Sequence, residues 1–103
     1  MLSYTVRMIG KNHHIPVYEF EDDRLKPLTS FMLSEVRNFQ PQIVEILSMV
    51  MSGKSQYETF SGNIFSLDIT PALCTLTDHF SENECTVPTD ELYELVRNDP
   101  SKL

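Results

Sequence analysis

The sequence predicts an α+β domain: an antiparallel sheet of short strands with a kinked helix and a C-terminal helix packed on one face. Three observations predict it. Apolar residues alternate with polar ones near the N-terminus and again after Gly53, the period of a half-buried strand. Between those stretches they recur every three or four residues, the period of a helix. The chain then closes on a segment with acids ahead of an apolar face, the order of a short amphipathic helix. With 103 residues, 41% of them hydrophobic, the chain suffices for one core but not two, so residues 1–103 are expected to form a single domain.

Taken in order, "SYTVRMIG" alternates at Tyr4, Val6 and Met8, and Gly10 with "KNHH" ends that strand. A second strand is expected in "IPVYEFED", with Pro16 near its start, where a missing N–H does least harm. "EDDRLKP" reads as a charged loop, Pro27 biasing Lys26 away from helix. Met32, Val36, Phe39, Ile43, Leu47 and Val50 then form one helical stripe that stops at Gly53. Pro41 lies inside the stripe and clashes with the carbonyl of Arg37, costing about 3 kcal/mol in a straight helix, so a kink or two abutting helices is expected. Met32, Met49 and Met51 read as core filler.

Beyond Gly53, "YETF", "SGN" and "IFSLDI" read as a hairpin with Phe65, Leu67 and Ile69 on one face and Ile64, Ser66 and Asp68 on the other. "LCTLT" and "CTVP" add two short strands around the polar turn "DHFSENE". The opposite sheet face should show Asp68, Thr75 and Thr77 to solvent. Thr89 is the expected N-cap of the last helix, Asp90 and Glu91 occupy its first turn, and Leu92, Leu95 and Val96 form its buried face.

Charge is the most informative property. The net charge is −7, and residues 52–103 hold nine acids against three bases. Such a surface repels nucleic acid and anionic membrane and favours a basic partner, although acidity for solubility alone is the plainer reading. The start "MLSYTVRMIGKNHH" has no basic leader with an apolar run, and no stretch of about 18 apolar residues exists, so a cytosolic protein is expected. Cys74 and Cys85 are too few for a disulfide framework, and both are expected to be free thiols. Symmetry about the turn would set Cys74 opposite Val87 and Leu76 opposite Cys85, making the cysteines diagonal neighbours at best.

Catalytic signatures are scarce. His13 and His14 are adjacent, so in a strand they point to opposite faces and do not jointly chelate a metal. His79 beside Asp78 invites a general-base reading, but no motif supplies a nucleophile and only three glycines are present to cradle a phosphate. No catalytic residue, metal or cofactor is expected.

The helix with Glu35 and Phe39 that ends in "SGK", the hairpin "FSGNIFSLDI" and the helix start "PTDELYEL" after a strand together resemble bacterial immunity proteins of contact-dependent growth inhibition systems. The resemblance covers roughly residues 31–98. It implies a cytosolic antitoxin that binds and blocks the C-terminal toxin domain of a large secreted protein, commonly a basic nuclease. It supplies no binding residue, so the expected interface rests on charge and exposure. It comprises Asp78, Glu82, Glu84, Asp90, Glu91 and Glu94, with Phe80 and Tyr93 as aromatic anchors. Phe80 could equally fold back onto the core, and the N-terminal strands or "EFEDD" are the fallback interface. A homo-oligomeric or adaptor module, and after it a small enzyme, are the other readings.

Overall fold

Gly10 (φ +86°) and Asn12 (φ 69°) both take the left-handed backbone that reverses the chain between β1 (Tyr4–Ile9) and β2 (Ile15–Phe20). These two strands pair antiparallel and form a sheet of their own. The computed structural model describes residues 2–12 and 14–100, and His13 falls outside them. Alternation on β2 buries Pro16 and Tyr18, whereas β1 stays largely exposed.

The charged segment that follows is not a loop. Asp22 accepts the Arg24 N–H and caps a short 3-10 turn (Asp23–Leu25), which leads directly into α1 (Lys26–Phe31). Pro27 sits in the first turn of α1, where its missing N–H is an orphan in any case. The expectation that Pro27 would hold Lys26 out of a helix is therefore corrected: a proline at a helix start directs the next turn instead of breaking one. A π-helical stretch (Met32–Val36) continues α1 into α2 (Arg37–Met51). Its wider turn buries Glu35 beside Met32 and Val36. The expected kink is present: Phe39 leaves helical geometry (φ −131°, ψ 24°), and Pro41 falls in the first turn of the piece that follows.

After α2 the chain runs through β3 (Glu58–Ser61), β4 (Phe65–Ile69), β5 (Leu73–Asp78) and β6 (Glu84–Pro88), an antiparallel sheet with neighbours in sequence order. The register sets Leu67 beside Leu76 and Leu76 beside Cys85, with Ile69, Cys74 and Val87 in the next row. Those six and Phe65 form the buried face, onto which the helices pack Phe31, Ile43, Leu47, Leu92 and Val96. On the other face Asp68 is exposed and Thr75 and Thr77 are half-buried. The class is α+β, and the strands divide between two sheets, because β2 packs against α1 and the π-helical stretch while α1 also touches β5 and β6.

The last helix, α3 (Thr89–Arg97), begins one residue earlier than expected, with Pro88 at the cap position. Thr89 is fully buried and does not cap; its hydroxyl donates to the Thr70 carbonyl at 2.6 Å and accepts from the Cys74 thiol at 3.4 Å. At the other end Gln40 of α2 donates to the carbonyls of Val96 and Asp99, supplying partners that a helix C-terminus lacks. Tyr18 donates its hydroxyl to Asp99 at 2.7 Å in a buried bond that ties the N-terminal sheet to the end of the chain.

Both cysteines are free and buried, and the register places them diagonally, as expected. Burial pushes the Cys85 thiol from 9.0 up to about 11, with the Glu84 carboxylate adding to it. Burial also raises Cys74, against an opposing pull from Thr89. Both thiols thus stay protonated in the folded protein where an unfolded chain would lose its protons. The Cys85 contribution to stability is complete below pH about 9 and is lost as pH climbs through about 11, and Cys74 acts in the same direction. The Tyr18 hydroxyl, raised by burial and then by the Asp99 bond, acts in the same direction. The urea midpoint should therefore be flat through neutral pH and fall above about pH 9. Native protein should resist alkylation until it unfolds; rapid modification of either thiol at neutral pH would contradict this.

Candidate interaction surface

Short local bonds shape the turn between β5 and β6. The Asp78 carboxylate accepts the Phe80 N–H at 2.8 Å, the Ser81 hydroxyl accepts the Asn83 N–H, and the His79 N–H reaches the Ile64 carbonyl at 2.7 Å. Phe80 is 80% exposed, so it projects into solvent and is not folded onto the core. Glu82 and Glu84 are exposed beside it, and Asp78 is half-buried.

On α3, Asp90 and Glu94 are exposed on the face opposite Leu92, Leu95 and Val96, the arrangement that their spacing of four predicts. Arg97 holds the Glu94 carboxylate below its ordinary range through a 2.8 Å ion pair. The Arg97 guanidinium also lies over the Tyr93 ring, 5.7 Å from its centroid. Tyr93 is half-buried and packs against the core, which leaves only part of its ring for a partner. Glu91 is half-buried and accepts the Leu2 N–H, anchoring the N-terminal segment.

The structure divides the expected patch into two groups. Asp78, Phe80, Glu82 and Glu84 sit at one end of β6, while Asp90, Glu91, Tyr93 and Glu94 follow its other end. β6, which spans about 14 Å from Glu84 to Pro88, holds the groups apart. The residues lying alongside that strand include the acids of "EFEDD", the fallback interface. Glu21, Asp22 and Leu25 share a groove with Thr86, Pro88 and Glu91, and Asp23, Arg24 and Lys26 share another with Asp78, Asn83 and Glu84. The run "EDD" was the signal, because a charged stretch capped by its own Asp22 is a rigid element and not a loop.

The two ends differ in charge. The groove at the β5–β6 turn mixes Asp23, Asp78 and Glu84 with Arg24 and Lys26. At the α3 end, Glu21, Asp22 and Glu91 line one groove and Asp90, Glu91 and Glu94 another, with no lysine or arginine in either lining. Asp22 is partly neutralised by Arg24, whose guanidinium binds it at 2.8 Å. Negative potential therefore concentrates around α3 and the residues beside it.

One arrangement with chemical potential escaped the sequence. The Ser66 hydroxyl lies 2.6 Å from His79 Nε2 across the β4–β5 pair, a nucleophile within reach of a base. The neighbouring acids are engaged elsewhere: Asp78 on the Phe80 N–H and Asp68 on the Tyr57 hydroxyl. Neither acid thus orients the imidazole as a triad requires. Among the described residues no group of three or more His, Cys, Asp or Glu could hold a metal ion, and no helix is long and apolar enough to cross a membrane. His14 is exposed, and its pairing with His13 lies outside the described residues.

A Bacillus cereus protein named Immunity protein is similar to this chain, with 32% identity over 76 residues. The alignment covers 70% of this chain and 65% of that protein, so the chain spans just under two thirds of its relative's length. No family model matches the chain, and no solved structure matches it.

Proposed function

We propose that this protein is an immunity protein, a cytosolic antitoxin that binds and blocks the toxin domain of a contact-dependent growth inhibition system. The observation that carries this reading is the similarity to the Bacillus cereus Immunity protein over 70% of the chain. The acidic surface along β6 and α3 supports a basic partner, and a nuclease that grips phosphates has a basic cleft to offer. In this reading the immunity protein occupies or flanks that cleft as an acidic surface, steering encounter by charge. Inhibition is by binding alone, and the chain turns over no substrate.

The test is to look beside this chain's gene for one encoding a large secreted protein and to co-express the C-terminal domain of that protein with this chain. Cells expressing that domain should stop growing, co-expression should restore growth, and the two purified proteins should form a stable complex. Absence of both rescue and complex would refute the proposal. The Ser66–His79 pair favours a second reading, a small hydrolase. It requires an ester or phosphoester turnover that disappears in both Ser66→Ala and His79→Ala.

A further inference from the structure

Between β1 and α3 lies a groove with an apolar floor and an acidic rim. Leu2, Tyr4, Met51 and Leu95 form the floor, and Asp90, Glu91 and Glu94 stand on the rim. Tyr4 is 41% exposed and Met51 44%, so both side chains offer apolar surface to the groove. Tyr4 is not loose, since its ring lies 5.7 Å from Tyr18 and 5.5 Å from Phe20. Met51 ends a fifteen-residue helix and Leu95 is buried in α3, so rigid elements hold the floor in place.

We infer that this groove docks a basic amphipathic segment of the toxin domain, an apolar side chain entering between Tyr4 and Met51 while flanking lysines or arginines meet the rim. The inference rests on the immunity reading and locates its energetic centre. Charge complementarity selects the occupant. Among the described residues three carboxylates and no lysine or arginine line the groove, and Arg97 beside it is engaged by Glu94, so an acidic or neutral apolar segment would forgo the rim, and a second copy of this chain would bring further acids to it. The rim acids are not idle in the free protein. Glu91 holds the Leu2 N–H, Glu94 binds Arg97 and Asn98, and Asp90 accepts the Glu91 N–H. These bonds fix the carboxylates in place before the partner arrives, which lowers the ordering cost of binding. A rigid aromatic and a deformable methionine flanked by charge is also the composition expected of a hot spot, in which a few desolvated anchors outweigh the rim.

Two measurements on the full chain test the inference. In the first, 15N-labelled protein is titrated with a synthetic amphipathic peptide of leucine and lysine, and with its leucine–glutamate counterpart. Saturable shifts at the amides of Tyr4, Met51 and Leu95 with the lysine peptide alone are expected. Shifts centred on residues 78–84, or equal responses to both peptides, would overturn the inference. In the second, the double variant Tyr4→Ser/Met51→Ser, both positions being exposed, is compared with wild type against the toxin domain. Binding should weaken at least tenfold in protein that circular dichroism shows to be folded, a lower thermal midpoint being expected from loss of the Tyr4 ring contacts. Full-strength binding by the variant beside a protective wild type would sink the groove and leave the immunity reading standing. A wild type that does not bind the toxin would sink that reading itself, and the peptide titration would still decide the groove.

Discussion

Replacing Glu35 with alanine should destabilise the protein by about 3–5 kcal/mol, a large part of the roughly 5–15 kcal/mol that holds such a domain together. Glu35 is fully buried, and its carboxylate accepts three backbone N–H groups of the β3–β4 connection: Asn63 at 3.1 Å, Ile64 at 2.8 Å and Phe65 at 2.6 Å. Each bond is charge-assisted, and the Phe65 N–H has no route to water once the acceptor is gone. Glu35→Gln should cost less but still about 2 kcal/mol, because one of its two terminal groups would point N–H donors at N–H donors.

Gly62 is the counterpart of that carboxylate. A Cβ built on Gly62 would lie 2.3 Å from Glu35 Oε1 and 2.4 Å from Oε2, far inside contact distance. Its requirement for glycine is a requirement for space, since its φ is not positive. Gly62→Ala should therefore expel the carboxylate and cost nearly as much as Glu35→Ala. The double variant should cost clearly less than the two singles added, as both break the same bonds. Urea unfolding of the four proteins measures this directly. Strict additivity, or a Glu35→Ala loss under about 1 kcal/mol, would show that the hairpin does not depend on this anion.

Why this contact was hidden in the sequence has a physical answer. Alternation and helical periodicity are local, and they located the six strands and the kinked helix because most of these elements bury one face, although β1 stays largely exposed. The diagonal placement of Cys74 and Cys85 followed from hairpin symmetry in the same way. The Glu35 contact spans nearly thirty residues and depends on a π-helical turn that no period announces. A trace existed: Glu35 lies three residues after Met32 and four before Phe39, on the buried stripe, where an acid requires partners. The split of the acidic patch was legible in outline, because "CTVP" reads as a strand between the acidic turn and the last helix; the structure adds the distance that this strand imposes. Thr89 illustrates the opposite error. Its residue type suits a cap, but burial turned its hydroxyl to the Thr70 carbonyl.

The second large effect concerns binding. Glu21, Asp90 and Glu94 are exposed acids around the grooves at the α3 end. Each change to lysine removes one negative charge and adds a positive one, taking the net charge from −7 to −1 across the three. The fold should tolerate this. Glu94 loses only an exposed, solvent-screened ion pair, and a lysine in the first turn of α3 meets the helix dipole at a small cost. Association with a basic toxin domain should slow on the order of 10- to 100-fold at low salt. Reversing Glu82 and Glu84 should slow it less, since Arg24 and Lys26 already offset the acids nearby.

If this acidic surface meets a basic toxin domain, the association rate of the wild-type pair depends on ionic strength, and it should be measured beside the Glu21→Lys/Asp90→Lys/Glu94→Lys variant. The wild-type rate should fall steeply between low and physiological salt, the variant's only slightly, and the two should converge once the charges are screened. A wild-type rate that does not change with salt, or a variant that associates as fast as wild type at low salt, would show that the acids do not face the toxin.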